Sequence, residues 1–380
     1  MIGEPQYHTP FVSVIVPCRN ESAFIGGCLD SILLNGYPSD RLEVLVVDGK
    51  SEDGTRAVLD RYAARYSCVR IIENPRMATP SALNLALSQA TGSYVLRVDA
   101  HSSLAPGYIR CCVEALARYG ADVVGGIMKA VPTMQTHVGR SIVAAISHPF
   151  GVGNSYFRVH TKGPKWVDTI FCGCYRREVF DRVQNAVNYQ SGLASEGTTN
   201  TGTGGPFNDR LARGQDMELH RRLKKVGGKI LLIPATTSIY YVRSDLRFFL
   251  SQSWNNGLWA ILPFAYCDGV PVAMRHLVPF GFVSTILLTS AIGFILPKSL
   301  LACGTILSAY GTANLAASLQ VAWRERSFAM VFVVPVIFFI LHTGYGLGSL
   351  WGAVTVACRG GLWRKIGRSR IAREPAIEQP

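Results

Sequence analysis

Three consecutive apolar stretches, 277–296, 299–322 and 328–358, occupy the last third of the chain, each long enough to cross a hydrocarbon core of about 30 Å. Apolar stretches of this length that lack charge read as membrane-spanning helices. Composition agrees, with 48% of the 380 residues hydrophobic and 17% charged. The net charge is +13, and Arg359, Arg364, Lys365, Arg368, Arg370 and Arg373 follow the last apolar stretch in a basic tail, 359–380. That placement suits an anionic headgroup surface on the cytoplasmic side, and argues against nucleic acid as a partner. Three full crossings would separate this tail from the preceding domain, against the tendency of basic residues to stay inside. Either one of the earlier stretches does not span or the third folds back around the Gly-Tyr-Gly-Leu-Gly run at 344–348, and a re-entrant or half-interfacial hairpin is the expected resolution. The expected location is therefore the cytoplasmic membrane, multi-pass, with the preceding domain facing the cytoplasm.

Before residue 277 the pattern changes to short apolar runs separated by polar turns. Runs at 11–16, 42–47, 69–72, 94–98 and 123–126 read as buried strands, and amphipathic segments between them read as helices. Strands alternating with helices predict parallel βαβ units, an α/β fold, with ligands outside the carboxyl ends of the strands. Arg19, Asp48, Asp99 and His101 fall at those ends and so belong on one rim. The stretch 191–205 is too rich in glycine and hydroxyls to pack, and a lid over substrate is one reading of it. The ten cysteines show no paired zinc spacing and read as reduced thiols.

Two constellations carry chemistry. Asp99 and His101, two residues apart beyond a strand, can reach one divalent cation, Mg²⁺ or Mn²⁺, although an aspartate in a solvated turn has the same signature. Asp216 opens an amphipathic helix, where the dipole favours its ionised form. An ionised carboxylate there can serve as a base, and equally as a plain N-terminal cap.

The segments Val-Ile-Val-Pro-Cys-Arg-Asn-Glu (14–21), Val-Asp-Gly-Lys-Ser-Glu-Asp-Gly-Thr (47–55), Asn74-Pro75 with Ser-Ala-Leu-Asn (81–84), Leu-Arg-Val-Asp-Ala-His (96–101) and Phe-Asn-Asp-Arg-Leu-Ala-Arg-Gly-Gln-Asp (207–216) come in an order and spacing that resembles the family 2 glycosyltransferases. The likeness spans about 11–260 and is strongest to the succinoglycan-biosynthesis type that builds bacterial exopolysaccharides. The resemblance implies a GT-A, Rossmann-like nucleotide-sugar domain followed by transmembrane helices. It implies that Pro17, Arg19, Glu21, Asp48, Asn84 and Asp99 bind a nucleotide-sugar donor, expected to be a uridine diphosphate sugar. It makes Asp99 and His101 the metal pair and Asp216 the base of a single, inverting displacement. Gly49 stands where many members carry a second aspartate, His101 replaces the usual second acid, and Gln215 precedes the base where glutamate is frequent.

Aromatic residues interleave with amides over 248–259, which suits either stacking on an acceptor sugar or a helix at the bilayer interface. Gln215, Gln252 and Trp254 are the acceptor candidates, and the acceptor expected is a polyprenyl-linked saccharide or a polysaccharide. The arginine of the Gln-x-x-Arg-Trp signature of processive synthases is absent, so single addition is expected over a processive polysaccharide synthase or an inactive scaffold. The expected division is a catalytic domain over 1–242, an interfacial amphipathic segment over 243–270, a membrane domain over 271–358 and the tail.

Overall fold

The structure is a computed structural model and describes residues 9–190, 205–265, 267 and 272–363. The tail beyond 363 and all of the 191–205 stretch except Gly205 lie outside the described residues.

Nine strands form one sheet: β1 (Val12–Cys18), β2 (Leu42–Asp48), β3 (Val69–Glu73), β4 (Tyr94–Arg97), β5 (Ser102–Leu104), β6 (Val123–Pro132), β7 (Lys165–Trp166), β8 (Cys174–Arg176) and β9 (Ile230–Val242). Eight of them run in the order β3-β2-β1-β4-β8-β6-β9-β5, and β7 pairs with β9. The helices between and after them are α1 (Ile25–Leu33), α2 (Thr55–Arg65), α3 (Thr79–Gln89), α4 (Tyr108–Tyr119), α5 (His137–Ile146), α6 (Pro149–Val152), α7 (Glu178–Gln190), α8 (Gln215–Lys225), α9 (Leu246–Ile261), α10 (Val278–Gly293), α11 (Ser299–Arg324) and α12 (Met330–Trp363).

The first half of the sheet follows the sequence reading. β1 pairs in parallel with β2 and β4, and β2 with β3, so their carboxyl ends share an edge. Alternation along β1 sends Val14 and Val16 to one face with Ile25, Leu29 and Leu116, and Ile15 to the other with Leu83 and Leu219. The second half departs from all-parallel pairing. β8 lies antiparallel between β4 and β6, and β5 and β7 pair antiparallel with β9. Strands of two or three residues leave no periodicity to read, which is why they escape sequence analysis. β9 is hidden for another reason: Pro234 interrupts it. The β6–β9 register shifts between Gly126 and Ile127, and Pro234 falls in the skipped residues, the position a sheet proline tolerates. A side chain at Gly126 would collide with the Thr236 carbonyl, so glycine is required there.

Among the described residues three helices are long and apolar enough to cross a membrane, over Met274–Gly293, Ser299–Arg324 and Met330–Cys358. The expected fold-back at 344–348 is corrected: α12 runs through it as one 34-residue helix. The glycines that suggested a turn form a packing seam instead. Gly344, Gly348 and Gly352 recur every four residues, on one face of α12 against α9. A Cβ on Gly348 would enter the main chain at Trp254, and one on Gly257 the main chain at Tyr345. Small residues let the two backbones approach closely, the usual device between membrane helices. Leu287, Leu301, Trp323, Phe332 and Trp351 remain exposed along the apolar helices, as spans facing lipid would leave them.

Candidate active site

The rim begins where β1 and β2 end. Gly49 donates its N–H to the Cys18 carbonyl at 2.8 Å, which ties the two loops at their start. Asp48 accepts from the Ser51 hydroxyl at 2.6 Å, and the same hydroxyl accepts from the Asn20 N–H at 2.9 Å. Glu52 donates its N–H to Asn20 at 2.9 Å, and Glu21 donates its own to Thr55 at 2.8 Å. Asn20 and Lys50 adopt φ values of 54° and 57°, the left-handed region that non-glycine residues rarely enter. The crossed hydrogen bonds hold this strained pair of loops. A Cβ at Gly49 would lie 3.3 Å from Arg19, so the missing second aspartate leaves room for the arginine stem. Pro17 sits half-buried in β1, in register with Val47.

Beyond β4 the chain places Asp99 and His101. The buried Arg97 donates to Asp99 at 2.7 Å with one nitrogen and to Asp216, at the start of α8, with another. One guanidinium therefore joins two carboxylates that are 117 residues apart in number. Arg97 was not assigned a role from sequence. The signal was available: an arginine inside a buried strand run demands a paired anion. Asp216 Oδ1 is buried and accepts no hydrogen bond. Burial raises the Asp216 carboxyl to about 6, with Asp99 adding to the rise and Arg97 opposing it.

His101 shares its Nδ1 proton with Glu21 at 2.9 Å, so Nε2 keeps the lone pair in that tautomer. Burial disfavours its protonated form, but the Glu21 hydrogen bond and the charge of Asp99 outweigh it, and the net shift is upward. The Tyr240 ring meets the His101 ring edge-on at 5.2 Å. Gln252 of α9 hydrogen-bonds Tyr240, and Arg158 and Arg213 lie near enough to act on it electrostatically. Tyr240 thus connects an acceptor candidate to the rim, a link made by β9 that sequence reasoning missed.

Behind the rim, His220 lies one turn after Asp216 on α8, wholly buried between Thr169 at 3.0 Å and Tyr175 at 2.8 Å. Burial, reinforced by the charge of Arg97, depresses it to about 3. Gln215 is buried in the first turn of α8. Trp254 is half-buried, with its main chain against Gly348. Asn84 is brought elsewhere: its amide donates to the Phe207 carbonyl at 2.8 Å and to Asp209 at 2.9 Å. It lines a cavity of about 540 Å³ with Asn74, Arg76, Ser81 and Arg177, a lining that includes none of Asp48, Asp99, His101 or Asp216.

No group of three or more His, Cys, Asp or Glu side chains that could hold a metal occurs among the described residues. The Asp99–His101 pair nevertheless fits a hard divalent cation, which commonly takes only one or two protein ligands and completes its shell with water and substrate phosphate. Carboxylate support of the distal imidazole nitrogen, as Glu21 gives His101, is the usual outer shell of a metal-bound histidine. No disulfide occurs among the described residues.

Known glycosyltransferases share sequence and fold with this chain. The model of glycosyl transferase family 2 matches residues 13–184. The dolichyl N-acetyl-alpha-D-glucosaminyl phosphate 3-beta-D-2,3-diacetamido-2,3-dideoxy-beta-D-glucuronosyltransferase of Methanococcus voltae is 22% identical over 357 residues, covering 90% of this chain and 97% of its own. Succinoglycan biosynthesis protein ExoA of Rhizobium meliloti (strain 1021) is 27% identical over 272 residues, 70% of this chain and 74% of that one. Among solved structures, the mannosyltransferase PcManGT from Pyrobaculum calidifontis, in complex with GDP-Man and Mn²⁺, shares the fold with a TM-score of 0.52 at 21% identity, over 95% of this chain and 89% of that one. With its mixed sheet, its carboxylate rim and three apolar helices after them, the chain carries a glycosyl transferase family 2 domain over residues 13–184 and has the GT-A fold.

Proposed function

We propose that this glycosyltransferase moves a sugar, with inversion, from a nucleotide diphosphate sugar to a lipid-linked saccharide or polysaccharide precursor at the cytoplasmic face of a membrane. The observation that carries the reading is the Arg97 bridge, which gathers Asp99 and Asp216 from separate elements onto one rim. Arg19, Glu21 and Asp48, in the loops after β1 and β2, would cradle the nucleoside, and Pro17 would shape the strand end beneath it. Asp99 and His101 would hold a divalent cation. Bound there, the ion supplies charge neutralisation for the departing diphosphate.

Asp216 Oδ1, without a hydrogen-bond partner, would accept the proton of the attacking hydroxyl while Arg97 holds Oδ2 and fixes the carboxylate plane. The C–O bond from acceptor to anomeric carbon forms as the bond to the diphosphate breaks on the opposite face, so one base suffices. Gln252 and Trp254 on α9, with Gln215 on α8, would border the acceptor. The names of two relatives, one acting on a dolichyl-linked phosphate and one in succinoglycan biosynthesis, support a lipid-linked or exopolysaccharide acceptor. The Mn²⁺ and GDP-Man of the archaeal mannosyltransferase support a cation and a nucleotide sugar.

The test is a screen of nucleotide sugars against lipid-linked saccharides in membranes, with the product linkage read by NMR. Transfer with inverted configuration is expected. Retained configuration, or donor use with no lipid-linked acceptor, would overturn the reading.

A further inference from the structure

A second cavity, of about 350 Å³, lies on α8 away from the rim, closed by Asp168–Thr169 ahead of β8 and by Val272–Arg275 at the entrance to the first apolar helix. Among the described residues its lining includes the cations Arg221, Lys224 and Arg275 and one carboxylate, that of Asp168. Asp168 is already engaged by Arg275 at 2.7 Å. Arg221 Nε and Arg275 Nε are both buried without an acceptor. A buried guanidinium nitrogen left without an acceptor is costly, and a cationic cavity with two of them suits an anion with several oxygens.

Position narrows the anion. Arg275 is the second residue of the span Met274–Gly293, so the cavity opens at the level where that helix enters the apolar phase, the level of lipid headgroups. Met217 in the lining directly follows Asp216. At a rise of about 1.5 Å per residue, Arg221 and Lys224 stand only about 7 and 12 Å further along α8 than the carboxylate. We propose that this cavity binds the phosphate or diphosphate of a membrane-resident carrier lipid, and that the saccharide it bears is thereby offered to Asp216. The carrier role rests on the proposed function, whereas the phosphate site itself stands on the cavity.

The test is equilibrium binding of polyprenyl diphosphate to the full chain in phosphatidylcholine nanodiscs. Arg221→Ala and Lys224→Glu should each weaken binding at least tenfold, and Arg221→Lys, which keeps the charge but loses the Nε donor, should weaken it less than Arg221→Ala. Calorimetric titration with donor nucleotide reports whether each variant is folded. Inorganic diphosphate should compete only at concentrations at least 100-fold higher, and phosphatidylglycerol in the same discs should not compete. Unchanged polyprenyl diphosphate affinity in folded Arg221→Ala and Lys224→Glu would overturn the site. Equal competition by free diphosphate or by phosphatidylglycerol would overturn its carrier specificity. If the wild-type protein glycosylated no lipid-linked saccharide yet bound polyprenyl diphosphate through Arg221, the proposed function would fail and the site would stand.

Discussion

The guanidinium of Arg97 holds the Asp216 carboxylate by one oxygen and leaves the other buried and free of hydrogen bonds. A strand residue therefore holds the first turn of a helix that follows it by more than a hundred positions, and one carboxylate oxygen there is left without a hydrogen bond.

Replacing Asp216 by Asn preserves shape but removes the proton acceptor. Turnover should fall by about 10² to 10⁴, the usual worth of acid–base assistance, with donor affinity nearly unchanged. Single-turnover assays beside calorimetric donor titration check this, and a variant retaining a tenth of wild-type turnover would move the base elsewhere.

The pH profile follows from the Asp216 carboxyl standing at about 6. Only the ionised form accepts a proton, so turnover should climb as pH rises through about 6 and level off above it. Arg97 opposes the upward shift, hence Arg97→Gln should move this limb to higher pH as well as lower the plateau. A limb that stays in place would separate Arg97 from the titration of Asp216.

Removing divalent cations with a chelator should abolish transfer, and Asp99→Ala should weaken both cation dependence and diphosphate affinity. His101→Asp replaces a nitrogen ligand with an oxygen one and should shift preference from Mn²⁺ toward Mg²⁺. Full activity in excess chelator would remove the metal role from both residues.

His220 titrates at about 3 in the fold, against about 6.5 when unfolded. Between those values the unfolded chain binds the extra proton, so stability is complete above about 6.5 and is lost progressively as pH falls toward 3. Thermal unfolding in detergent from pH 8 to 4 should show this decline, and His220→Gln should flatten it.

The seam between α9 and α12 leaves no space for a side chain at Gly257. Gly257→Leu should lower the unfolding midpoint in detergent, overpacking costing about 1 to 3 kcal/mol or more where backbone must move. An unchanged midpoint would mean that the helices part without cost.

Legibility in the sequence followed the length and regularity of each signal. β1 to β3 and the helices packed on them have long apolar runs closed by turn residues, and Asp48, Asp99 and His101 fall where those runs stop. The antiparallel half was not legible, since β8 is three residues long and Pro234 disguises β9. Tyr240 is hidden together with β9, whereas Arg97 is visible as a charge inside a buried strand run that needs an anion to neutralise it. In the sequence the glycines at 344–348 suggest conformational freedom, whereas in the fold what matters is the absence of a side chain.

That seam has a mechanical consequence. β9 carries Tyr240 against His101 and continues through a short link into α9, which is locked backbone to backbone onto α12. A lever so short and stiff gives the sheet little freedom to swing on its anchor, so with the apolar helices in a bilayer the carboxylates proposed for catalysis would keep a set height and bearing above it. The enzyme is then a gauge fixed to the surface, and it is the acceptor that must bring its hydroxyl to the mark.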